Sequence, residues 1–78
     1  MNKLSFEDRI KKIISVAGSA DKLAYNAGVS PSLIGKYLSG KTDPTRKKLI
    51  ALAEAACVNI EWLATGEGPM RAGERERF

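Results

Sequence analysis

Five cationic side chains, Lys36, Lys41, Arg46, Lys47 and Lys48, fall between positions 36 and 48, and Asp43 is the one carboxylate among them. That window carries +4, equal to the formal charge of the whole 78-residue chain, so the rest of the sequence balances. From Leu49 to Met70 there is no Lys or Arg, and the charged residues are Glu54, Glu61 and Glu67. A domain with one basic and one acidic end suits an anionic polymer on its basic side. A solvated charge run is the competing reading of the same pattern. Catalytic chemistry has little to work with. The sequence has no histidine and a single cysteine, Cys57, which argues against a His general base, a Cys/His pair, an internal disulfide or a structural zinc site. The neighbouring acids Glu7 and Asp8 fall at a helix start, where carboxylates favour the macrodipole. No enzymatic activity, metal or cofactor is expected.

The cations need a scaffold, and the length allows one small domain that buries only about 60% of its unfolded surface. Hydrophobic residues at 44% and charged residues at 28% fit an ordinary globular chain. No apolar run approaches the roughly 18 residues of a membrane span, and the N-terminus lacks a signal-peptide core, so a cytoplasmic protein with no membrane partner is expected. Five helices follow from periodicity and caps. Ser5 with Asp8 resembles a capping box, and Phe6, Ile10, Ile13, Ile14 and Ala17 recur at helical spacing up to Gly18. Ser19 caps a short second helix with Leu23, Ala24 and Ala27 on its apolar side, closed by Gly28. Ser30 and Pro31 start a third, which Gly40 ends. Asp43 or Thr45 caps a fourth from about Arg46 to Ala56, with Leu49, Ile50, Leu52, Ala53 and Ala56 inward. Asn59 caps a fifth holding Ile60, Trp62 and Leu63, which Thr65 and Gly66 end. The expected domain covers residues 1–68, and 69–78 reads as a linker or frayed tail.

Only Gly28, Val29 and Ser30 separate the second and third helices, so the two meet at a steep angle, with small Ala24 and Ala27 at the elbow. This is helix-turn-helix logic, in which the second of the pair enters the DNA major groove. On a helical wheel centred on Ile34, Ser30, Pro31, Tyr37 and Leu38 lie on the inward side, and Ser32, Lys36 and Ser39 on the outward side. Lys36 is a candidate for guanine O6/N7 and Ser32 for a neighbouring base or phosphate. Leu33 flanks that face, to meet a thymine methyl or to form a half-buried core edge. Gly35, mid-helix, costs about 1 kcal/mol relative to Ala, which makes sense if a groove wall or a neighbouring helix comes close. Lys41, Arg46, Lys47 and Lys48 are phosphate candidates, though consecutive helical positions diverge by 100° and all of 46–48 cannot face one surface. Ile60, Trp62 and Leu63 offer a dimerisation surface, with core capping as the alternative for Trp62.

The run "SADKLAYNAGVSPSLIGKYLSGKTDPTRKKLIALAEAACVNIEWLATGEGP" resembles the DNA-binding domain of lambda-repressor-like phage and prophage regulators of the CI/Cro type. Ala24, Gly28, Val29-Ser30, Ile34 and Gly40-Lys41 carry the likeness, and "WLATGEGP" looks most like CI-type repressors. The resemblance spans about residues 5–69. It implies a compact, all-α, five-helix domain that binds a double-stranded operator as a homodimer in a bacterial cell, with a C-terminal oligomerisation domain in a longer parent. It places base-reading positions at Pro31, Ser32, Lys36 and Leu33. It places backbone contacts at Ser19, Ser30, Ser39, Lys41, Thr42 and the start of the fourth helix, at Arg46 and Lys47. Two positions depart from the family. Pro31 stands where Gln is common and cannot donate its bonds, so readout falls to Ser32 and Lys36. Cys57 stands where Gly is usual, in a left-handed turn.

Two rivals belong to other classes. An antitoxin-type interaction and autoregulatory module needs a segment that wraps its partner, and GERERF is a poor candidate. An RNA-binding domain needs exposed aromatics for stacking. Phe6, Tyr37 and Trp62 read as core, leaving Tyr25.

Overall fold

Serine and threonine hydroxyls start four of the five helices. The side-chain oxygens of Ser5, Ser19, Ser30 and Thr45 accept the backbone N–H of Asp8, Lys22, Leu33 and Lys48 at 3.1–3.2 Å, each satisfying a donor that the first turn leaves orphaned. The computed structural model describes residues 4–71. Among them the chain forms α1 (Phe6–Ala17), α2 (Ala20–Ala27), α3 (Pro31–Leu38), α4 (Arg46–Ala56) and α5 (Ile60–Thr65). The expected all-α, five-helix architecture is what the structure has, and Thr45 rather than Asp43 caps α4.

Helix α1 packs against each of the other four, α2 lies on α3 and α4, and α4 meets α5. The core they share comprises Ile10 and Ile13, Leu23 and Ala24, Ile34 and Tyr37, then Leu52, Ala53, Ala56, Val58, Trp62 and Leu63. Ile50, expected inward, is exposed instead. Leu49, Leu52, Ala53 and Ala56 already make the stripe of α4 that meets the core, and Ile50 falls on its flank.

Three helices end in the same way. At Gly28, Gly40 and Cys57 the backbone turns left-handed, with φ of 74°, 75° and 56°. The next N–H reaches back five positions, Val29 to Ala24, Lys41 to Lys36 and Val58 to Ala53, each at 3.0 Å. This is the Schellman termination. A Cβ on Gly28 would meet nothing within 4 Å, so conformation rather than space calls for glycine there. Cys57 adopts the same geometry with a side chain, at an expected cost of about 1 kcal/mol or more.

The tail is partly built into the fold. The backbone N–H of Asn59 donates to Met70 O at 2.9 Å, and its side-chain amide donates to Pro69 O at 2.8 Å and Arg71 O at 3.1 Å. Val58 and Arg71 form an isolated antiparallel bridge, and Met70 packs against the core. Asn59 sits at the N-cap position of α5 without a capping bond from its side chain, and its Nδ2 holds this returning segment instead. Residues 69–71, expected to begin a linker, are therefore docked. The remainder of that segment, 72–78, lies outside the described residues.

Among the described residues, Arg9 is the one charged side chain in the interior, 6% exposed. Its Nε donates to Leu63 O at 2.9 Å, Nη2 to Ala64 O at 3.3 Å and Nη1 to Leu4 O, and its guanidinium lies 5.7 Å from the centre of the Phe6 ring. Burial pulls its pKa below the usual range, opposed by Glu7. A cation set against the last carbonyls of α5 also complements the negative end of that helix.

Two stability changes follow. Arg9→Ala strands buried carbonyls and is expected to lower unfolding free energy by about 2–4 kcal/mol in a denaturant titration, with Arg9→Lys recovering only part of it. Cys57→Gly relieves the left-handed strain and is expected to raise stability by about 0.5–1 kcal/mol after the extra chain entropy of glycine is counted. An unchanged or lower melting temperature would show that the thiol makes up for the strain.

Candidate nucleic-acid interface

The geometry of α3 begins at the elbow. Gly28 turns the chain out of α2, and Ser30 enters α3 in extended backbone (φ −81°, ψ 150°), with Pro31 at the first helical turn. Ile34 and Tyr37, each 1% exposed, anchor the helix in the core, and Ala24 behind it is equally buried. Burial also raises the pKa of the Tyr37 phenol, which keeps it neutral. Pro31, Ser32, Gly35, Lys36 and Ser39 remain exposed, with Leu33 and Leu38 half-buried against the core. The outward set Ser32, Lys36 and Ser39 is therefore exposed as the wheel requires. Ser30 and Pro31, placed inward by the wheel, are exposed as well, because the residues that start a helix have no preceding turn to bring them against the core.

The hydroxyl candidates differ in what they have left to offer. Ser19 and Ser30 use their oxygens as acceptors for helix N–H groups, so each keeps its own proton for an anion. Ser39 Oγ already donates to Lys36 O at 3.2 Å. Lys41 and Thr42 are exposed in the turn after α3. The run 46–48 divides. Lys47 and Lys48 line a shallow notch with Ala27, Gly28 and Val29, at the elbow itself. Arg46 lines a different groove with Ile50, Glu54 and Ile60. Thus two cations of α4 join the helix-turn-helix elbow while the third points elsewhere.

Other candidates land in unforeseen places. Trp62 and Leu63 are buried in the core, and of the three α5 residues expected to meet a second copy only Ile60 is exposed. A Glu7 carboxylate oxygen stands 3.0 Å from where a Cβ on Gly40 would lie, so an acid covers the turn that leads into Lys41. Nothing in the local sequence signals this, since 33 positions separate the two residues. Tyr25 is 87% exposed, whereas Tyr37 and Trp62 are buried, and one exposed tyrosine is a small platform for stacking bases.

No protein atom outside the local backbone lies within 4 Å of a Cβ built on Gly35. A neighbouring helix is therefore not the reason for this glycine, and the uncovered space is on the solvent side.

Together, the short elbow, the anchored α3 and the cations beside them define a helix-turn-helix domain. The chain belongs to the Helix-turn-helix family, whose pattern matches residues 8–63. It is 36% identical over 66 residues to an uncharacterized HTH-type transcriptional regulator of Haemophilus influenzae, covering 85% of this chain and 28% of that protein. It is 45% identical over 65 residues to the HTH-type transcriptional regulator PrtR of Pseudomonas aeruginosa, covering 82% of this chain and 25% of that one. The chain thus spans about a quarter of the length of these relatives. Its fold is similar to the solution structure of the DNA-binding domain of the P22 C2 repressor, with a TM-score of 0.74 at 25% identity over 85% of this chain and 88% of that one.

Because Gly35 has open space beside it, Gly35→Ala is expected to stabilise the domain by up to about 1 kcal/mol, which raises the melting temperature by about 4–8 °C for a domain of this size. A destabilised variant would reveal a steric or backbone demand that the geometry does not contain.

Proposed function

We propose that this chain is a sequence-specific DNA-binding transcription regulator of the repressor type, and that its contribution is binding rather than catalysis. The observation that carries the reading is α3 itself. Two buried side chains hold it in place while Ser32, Gly35 and Lys36 face solvent. Laid in a major groove, Lys36 reaches guanine O6/N7 and Ser32 a neighbouring base edge, with Pro31 and Leu33 as apolar neighbours. Gly35 lets the helix backbone approach the base edges closely. The likeness to two HTH-type transcriptional regulators and to a repressor's DNA-binding domain supports DNA as the partner.

Phosphates fall to Lys41, Thr42, Lys47, Lys48 and the hydroxyls of Ser19 and Ser30, which together set the dependence on salt. Ser39 contributes less, because its proton already serves Lys36 O. A homodimer on two half-sites about 34 Å apart is the arrangement that a paired helix-turn-helix requires. In a longer parent, a C-terminal domain strengthens that pairing. The site of action is the cytoplasm of a bacterial cell, where the operator is.

A selection from randomised duplexes, followed by salt titrations, tests this. The parent chain is expected to yield a consensus. Lys36→Ala is expected to lose preference at one base pair, about 1–3 kcal/mol of discrimination. Lys47→Ala is expected to weaken all duplexes alike and to lower the slope of log K against log salt by about 1. Absence of any consensus rules out sequence-specific repression. A uniform loss in Lys36→Ala makes Lys36 a phosphate contact.

A further inference from the structure

Along α4, Arg46, Ile50 and Glu54 stand four residues apart, all three are exposed, and they share one groove with Ile60 of α5. Four residues rise about 6 Å and return within about 40° of the starting direction, so the three form a single ridge. Its order is cation, aliphatic, carboxylate at equal spacing. Read in reverse, the order is carboxylate, aliphatic, cation. Such a ridge is complementary to its own antiparallel copy, which is the relation that a two-fold axis imposes.

We propose that this groove receives a second copy of the chain, with two α4 helices antiparallel and Ile50 packed on Ile50 at the axis. Arg46 of each copy then faces Glu54 of the other, and ridges of this i±4 type cross at about 50°. Ile60 flanks the contact and extends its apolar area, both isoleucines being more than a third exposed in the single chain. An unrelated partner has no need of the internal symmetry that this ridge displays. The arrangement deepens the homodimer reading above by naming its surface. It removes Arg46 from the phosphate contacts, and it replaces Trp62 and Leu63, which the core has taken. An apolar centre this small makes a weak dimer for this chain alone.

Sedimentation equilibrium without DNA, from about 10 μM to about 1 mM chain, spans the range expected of such a contact. Ile50→Glu, Arg46→Glu and Glu54→Arg are each expected to weaken self-association about tenfold or more, since each sets like charges or a charge and an aliphatic together. The double variant Arg46→Glu/Glu54→Arg restores the opposite pairing and is expected to recover most of the loss. All of these side chains are exposed, and helical circular dichroism checks that each variant folds. A chain that stays monomeric across the range, a dimer indifferent to Ile50→Glu, or no recovery in the double variant overturns the proposal and leaves the groove to a different partner. Affinity for a duplex with one half-site, measured in parallel, reports on the DNA reading alone, so the two readings fail separately.

Discussion

An eight-residue helix is too short to hold its own shape in water, and α3 has eight residues. It also carries a glycine in its middle, which takes away about 1 kcal/mol more. Its position is therefore borrowed from the core through Ile34 and Tyr37, and from the cap through Ser30. Burying two such side chains contributes about 1.5–3 kcal/mol each, more than the intrinsic cost of the short helix and its glycine. Everything that α3 offers outward inherits its direction from those two inward residues. The outward face of α3 is the far side of a core contact, and the two cannot vary independently.

That core is closed by a charge. Arg9 joins the first helix to the end of the last, giving donors to three carbonyls that have no helical N–H to receive. A guanidinium suits this role because its donors lie in one rigid plane and serve several acceptors together. An aliphatic residue would fill the volume but leave the carbonyls of Leu63 and Ala64 without the donor. The same end of the domain contains Phe6, whose ring is the apolar neighbour of the guanidinium. With α5 fixed in this way, Trp62 and Leu63 join the buried core, on the side where α5 packs against α1 and α4.

Helix α4 shows how one element serves several surfaces. Leu49, Leu52, Ala53 and Ala56 face the bundle, Lys47 and Lys48 border the elbow, and Arg46, Ile50 and Glu54 form a ridge of their own. A 100° step between residues is the physical cause, since three consecutive cations must diverge around the helix. The charge cluster at 36–48 is thus a feature of the chain that folding distributes over two faces. At the far end of α4, Cys57 accepts a left-handed backbone so that the chain turns toward Asn59, which then holds residues 69–71.

Much of this was legible in the sequence because its signals are local. Caps at Ser5, Ser19, Ser30 and Thr45, turns at Gly28 and Gly40, and apolar spacing within each helix place all five helices and nearly all of the core. The outward set of α3, Ser32, Lys36 and Ser39, follows from the same periodicity. Where the sequence misled, the deciding contact was distant. Arg9 reads as a solvent residue by its place among Glu7, Lys11 and Lys12, and only the arrival of the α5 carbonyls 54 and 55 positions away makes it internal. Asn59 reads as a cap until residues 69–71 compete for its amide. Ile50 and Trp62 are both large and apolar, and which one the core takes depends on how α4 and α5 cross. Hydrogen bonding within a turn and helical period are properties of neighbouring residues, so the sequence determines them. Which side chain meets an unsatisfied carbonyl or an open cavity depends on how separate helices approach, and that only the tertiary structure decides.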